Sequence, residues 1–122
     1  MTHLAKFLSP SGIMVATLQG RWSELVHETS PYIGEDRWQT ILGQYNSCGH
    51  VYCNYIKEES HEFISGSYGV SLVKPHIAVK MVEKIPDVRI FLYQERAWAD
   101  HQDVVVFGRP AFELAWLTSD PV

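Results

Sequence analysis

The chain predicts an α+β domain: an antiparallel sheet of about five strands, its C-terminal half a β-meander, packed against about three helices. The main observation is the stretch Asp87–Leu117, which holds three of the five Phe and two of the four Trp. It reads VRIFLYQ, ERAWADHQ, DVVVFG and RPAFELAWL, apolar runs of strand length broken by short polar segments, the pattern of three antiparallel strands. The second observation is a pair of segments in which Trp and two aliphatics recur at helical spacing. The third is Pro75, which opens a run of helical period.

In chain order, Leu4–Leu8 and Ile13–Leu18 are short apolar runs on either side of Ser9-Pro10-Ser11-Gly12. Pro and Gly within four residues mark a turn, so the two runs are expected to form a hairpin, with helix as the competing reading for the second. Arg21-Trp22-Ser23-Glu24-Leu25-Val26 and Arg37-Trp38-Gln39-Thr40-Ile41-Leu42 share the order Arg, Trp, two polar residues, two aliphatics. In each, Trp and the aliphatics fall at i, i+3 and i+4, one helix face, which predicts two short helices with Trp22 and Trp38 in the core. Tyr45 extends the second face, and Glu35 or Asp36 suits the positive end of that helix. Asn46–His50 should stop it.

Val51–Ile56 reads as a strand, Lys57–Ser60 as a polar turn and Glu62–Ser65 as a returning strand. Ser65–Gly69 is a loop, followed by apolar Val70–Val73. The third helix starts at Pro75, with Ile77, Ala78, Met81, Val82 and Ile85 on one side, and ends at Pro86-Asp87.

A length of 122 residues fits one domain, residues 1–122, able to bury a core without metal or disulfide. An apolar fraction of 46% with 20% charged residues is ordinary for a soluble globular protein. The net charge of −4, with basic residues scattered, argues against a nucleic-acid partner. No run approaches the ~20 apolar residues of a membrane span, and the N-terminus lacks the apolar core of a secretory signal. With only two Cys, a cytoplasmic location is expected.

The residue clusters that could carry chemistry each have a plainer reading. Cys48, His50, Cys53 and His61 are zinc-ligand types, yet their intervals of one, two and seven intervening residues do not match paired-ligand spacing. Cys53 also alternates with Val51 into an apolar layer, so no metal or other cofactor is assigned. Glu58, Glu59, His61 and Glu62 resemble a solvated turn more than an acid–base pair. Asp100-His101-Gln102-Asp103 reads as a hairpin loop, although His beside carboxylates can act as a base. The loop Ser65-Gly66-Ser67-Tyr68-Gly69 lacks both the Gly-Lys-Ser/Thr of a phosphate loop and the spacing of a nucleophile elbow.

What remains is the abundance of Trp and Tyr. In strict alternation Phe91 and Tyr93 oppose Val88, Ile90 and Leu92, so both faces of that strand are apolar. One face can be covered by the chain's own helices; the other calls for a second layer, a ligand or another subunit. The expected function is therefore a non-enzymatic, self-associating binding module, a homodimer through the meander. It would present an aromatic surface or pocket (Tyr68, Tyr93, Trp98, Trp116 and His101) to a small apolar ligand or a protein partner. Two alternatives stand beside it. One is a pocket-type isomerase or hydrolase using Asp100, His101 and Tyr68; the other is an antagonist of one basic protein, acting through Glu58, Glu59 and Glu62.

Overall fold

The computed structural model describes residues 1–31, 33–54 and 69–110, apart from the side chain of Thr2. These form four helices and five strands in the order α1 (Thr2–Ala5), β1 (Ile13–Gln19), α2 (Arg21–Thr29), α3 (Glu35–Cys48), β2 (His50–Asn54), β3 (Gly69–Val73), α4 (Pro75–Glu83), β4 (Arg89–Trp98) and β5 (Gln102–Gly108). The α+β class is as expected, but the strands divide into two antiparallel sheets, β1-β5-β4 and β2-β3. β3 runs near β1 without sharing a ladder with it, and a cleft lined by Thr17, Gln19, Ser71 and Gln102 lies along the seam. No helix among the described residues is long and apolar enough to cross a membrane.

The N-terminal hairpin does not form. Leu4–Leu8 instead makes a single helical turn and its end, with Ala5 buried. The carbonyls that this turn leaves unpaired are taken by Arg109, whose Nη1 donates to the Leu8 carbonyl at 2.6 Å. β1 finds its partner far along the chain: Val15 pairs with Val106 and Thr17 with Val104 on β5.

Two cores result. In the first, Trp38, Ile41 and Tyr45 of α3 pack with Ile33 on Val51, Val70 and Leu72 of the β2-β3 pair. That is the face predicted for this helix, and Glu35 and Asp36 do occupy its first turn. α3 stops where Gly49 takes a left-handed φ of 79° and donates its N–H to the Tyr45 carbonyl, a cap that glycine adopts without a Cβ penalty. In the second core, Ala5 of α1, Val82 of α4 and the following Ile85 and Val88 cover the inner face of the three-stranded sheet, made by Met14, Ala16, Val105, Phe107, Ile90 and Tyr93. Pro75 is the first residue of α4, as expected.

Two of the expected strands of the meander are present, as β4 and β5. The third, expected within 109–117, lies outside the described residues from 111 onward, and the strand at Glu62–Ser65 lies outside them entirely. β4 continues through Glu95–Trp98, which the sequence reading treats as a break. It also departs from strict alternation: the register skips Phe91, so Ile90 pairs with Phe107 and Leu92 with Val106. This bulge sets Ile90 and Tyr93 together on the inner face and turns Leu92 outward. The outer face then presents Val15, Val106 and Leu92 side by side, with Ile13 one pair further on. Ile13 is 61% exposed and Val15 59%.

The largest correction concerns α2. Trp22, Leu25 and Val26 are all exposed, whereas Ser23 and His27 are buried. The helix faces inward with its polar side because that side has specific partners. Ser23 Oγ donates to the His101 carbonyl at 3.1 Å, and the His27 ring lies against Trp38 with centroids 3.8 Å apart. An apolar stripe is left on the surface, with Leu25 50% exposed.

Candidate functional site

The site is built on the β4-β5 hairpin. Its turn places Ala99 at φ 50° and Asp100 at φ 62°, with the His101 N–H donated to the Trp98 carbonyl. Two successive positive φ values define a type I′ turn, which Asn-Gly enters most easily and alanine enters with strain. Ala99→Asn is therefore expected to stabilise the protein by about 1 kcal/mol, read from urea midpoints at unchanged m-value.

A second irregularity lies just before the turn. The β4-β5 register shifts between Gln94 and Trp98, and Arg96 within it has φ 57°. Its N–H, taken out of the ladder, is donated to Asp103 Oδ1 at 3.1 Å. Asp103 is fully buried, and its Oδ2 accepts the Tyr93 hydroxyl at 2.7 Å. The carboxylate packs directly on Gly20, the residue that precedes α2, where a Cβ would overlap Oδ2. Asp103 thus holds together the strand bulge, the Tyr93 ring and the entry to α2.

Outside this buried anchor is an open cleft of about 370 Å³ lined by Arg21, Trp22, Glu24, Leu25 and Glu95. Arg21 binds Glu95 with two hydrogen bonds, Nε to Oε1 and Nη2 to Oε2, both 2.6 Å. That pairing holds the Glu95 carboxyl below its usual range. The Arg96 guanidinium lies over the Trp22 ring, 4.5 Å from its centroid, and its Nε donates to Asp100 Oδ1 at 2.9 Å. Glu24 differs from these groups. Burial, and then the like charge of Glu28, push its carboxyl up, with only Lys74 opposing. Tyr45 carries a buried hydroxyl that has no hydrogen-bond partner among the described residues. Burial, and next the charge of Glu24, raise its phenol to about 12.

The residues singled out from the sequence fare differently. Tyr93 is half-buried and is the hydroxyl donor to Asp103. Trp98 stands 59% exposed at the end of β4. His101 lies in the turn, its Nδ1 2.6 Å from the Ala99 carbonyl; since a carbonyl only accepts, Nδ1 carries the proton. Tyr68 and Trp116 lie outside the described residues, as do His61, Glu58, Glu59 and Glu62. His50 and Cys53 are three apart on β2 and face opposite ways, while Cys53 packs beside the first core and accepts from Arg37 Nη2 at 3.0 Å. Asp100 is held ionised by Arg96 at an exposed turn, the opposite of the desolvated acid that a pocket enzyme needs.

By its sequence pattern Trp22 belongs to the core and Asp103 to a loop, and nothing in that pattern marks Glu24 or Arg96. The available signal was Gly20, set immediately before a helix of mixed faces, but its partner is 83 residues away in sequence (103 − 20).

His27 provides a test of this packing. Burial lowers its pKa, so the unfolded chain takes up a proton near pH 6.5 while the folded one resists. Below that pH the unfolded state binds more protons, and stability falls as pH is lowered. The melting temperature is expected to drop between pH 7 and 5, and His27→Phe should flatten that slope whatever it does to the absolute value.

Compared with known proteins, the chain matches no protein-family model, no curated protein and no solved structure.

Proposed function

We propose that the protein is a cytoplasmic, self-associating binding module, in which two copies join through the outer face of the β1-β5-β4 sheet. The observation that supports this reading is the row Val15, Val106 and Leu92, continued by Ile13 and by the neighbouring bulge residue Phe91. All but Val106 are strongly exposed, on a sheet whose other face is already filled by α1, α4 and the segment after α4. An apolar sheet face of this kind is covered in stable proteins by a second layer. A second copy suits it, because a two-fold axis through the central strand sets the same row against itself. Thr17, Gln94 and Arg89 flank the row and supply the polar rim that an interface carries. The aromatic surface at α2 and β4, apart from this face, is the ligand-receiving part of the proposal.

Light scattering after size exclusion at micromolar concentration tests the assembly. A mass of twice the chain is expected, with Val15→Asp shifting it to that of a single chain while circular dichroism is retained. A single-chain mass for the unaltered protein overturns the reading.

A further inference from the structure

The cleft at the start of α2 holds a carboxylate with no direct contact partner among the described residues. Of the ionic groups around it, Arg21 binds Glu95 through Nε and Nη2, and Arg96 is held between Asp100 and the Trp22 ring. The Glu24 side chain lines the same cleft and makes no hydrogen bond or ion pair with any described residue; Glu28 adds a second negative charge to its field, and Lys74 acts on it only through space. On the apolar side stand Trp22 and Leu25, exposed although their spacing is that of a core face. The buried Tyr45 hydroxyl lies in the field of Glu24 but has no hydrogen-bond partner among the described residues, so it does not donate to that carboxylate, and the Lys74 ammonium is placed over the Tyr45 ring, 5.2 Å from its centroid.

From these we infer that the cleft binds a cationic group carried on an apolar stem, a primary ammonium on an alkyl or aryl chain. Glu24 is its counter-ion, and Trp22 and Leu25 are the walls for its stem. An anion is disfavoured because it would have to break the two-point Arg21–Glu95 contact and then face Glu24. A neutral apolar molecule would further desolvate Glu24 and return nothing to it. The volume of about 370 Å³ suits a ligand of one ring or one long side chain. This inference rests on the reading of the protein as a binding module but not on the dimer, since the cleft lies at α2 and not on the outer sheet face.

The test uses the full chain and probes that differ only in charge: phenethylamine, the neutral phenethyl alcohol and the anionic phenylpropionate. Binding is followed by amide and indole NMR shifts, with the Trp22 indole assigned through Trp22→Phe. The amine is expected to saturate the Trp22, Glu24 and Leu25 signals, with affinity on the order of tenfold higher than that of either isostere. Glu24→Gln should erase the preference for the amine. A parallel titration with N-acetyl-lysine methylamide and with a Leu-Lys-Leu peptide separates the sources. Tighter peptide binding marks a partner's lysine side chain, and an equal or weaker one marks a free amine; both keep the site. The inference is overturned if the three charge variants bind alike to the unaltered protein, or if none saturates in the millimolar range. The comparison of isosteres requires no substitution, so it stands even if Glu24→Gln perturbs the helix. A protein that runs as a monomer yet binds the amine would sink the dimer alone.

Discussion

Asp103→Ala is expected to lower the unfolding free energy by about 3–5 kcal/mol, the largest effect of any single substitution considered for this protein. The carboxylate is fully buried and accepts two donors, the Tyr93 hydroxyl and the Arg96 amide. Hydrogen bonds to a charged acceptor contribute about 1.5–3 kcal/mol each, and removing the acceptor also leaves two partly buried donors without this partner. For a domain whose total stability is about 5–15 kcal/mol, that is a large share. Asp103→Asn keeps the shape and one acceptor oxygen but offers an NH₂ where the Tyr93 hydroxyl donates. A loss of about 1–2 kcal/mol is expected for it. Urea denaturation of the three proteins measures both. A loss under about 1 kcal/mol for alanine would mean that the bulge and the Tyr93 ring hold without their anchor. The Arg96 amide is fixed by Asp103, so the alanine variant should also release the guanidinium from Trp22 and change the indole fluorescence.

Gly20→Ala should follow closely, at about 2–4 kcal/mol, for a reason that is steric rather than conformational. Gly20 has φ −108° and ψ −147°, a negative φ outside the left-handed region, so the clash of a new Cβ is the main cost. That Cβ would overlap Asp103 Oδ2 and lie 2.8 Å from Cγ, and the carboxylate cannot yield without giving up Tyr93 or Arg96. The two substitutions are therefore coupled with opposite sign. In an Asp103→Ala background the space is free, and Gly20→Ala should be neutral or stabilising by about 0.5 kcal/mol through the lower entropy of its unfolded chain. Equal losses in both backgrounds would show that the glycine serves something other than room for the carboxylate.

Much of the fold can be read locally. The face of α3 follows from Trp38, Ile41 and Tyr45 at helical spacing, its stop from Gly49, and the start of α4 from Pro75, because each is decided within one or two helical turns. The strands at Ile13–Gln19 and Gln102–Gly108 follow from β-branched runs in the same way, whereas Gly69–Val73, by sequence the end of a loop and an apolar stretch, is the strand that pairs with β2. The candidate site is less legible. Of the residues named in advance, Tyr93 serves the site as an internal anchor, while Trp98 and His101 sit at the hairpin end. Trp22 is the clearest failure. Its pattern of Trp, Leu and Val at i, i+3 and i+4 is the same as that of Trp38, and hydrophobic period alone gives both the same answer. What separates them is a hydrogen bond from Ser23 to a carbonyl 78 residues away and a ring contact between His27 and Trp38.

Composition and periodicity were enough to establish an α+β chain with two aromatic-bearing helices, a proline-started helix and an apolar C-terminal hairpin, since these depend on neighbours within a few residues. The tertiary structure alone settled which strand β1 joins, that the five strands split between two sheets, which side of α2 is buried, and that Asp103 rather than its loop neighbours anchors the cleft. Each of those outcomes turns on a contact between distant segments, where a single buried hydrogen bond or a missing Cβ outweighs the local preference.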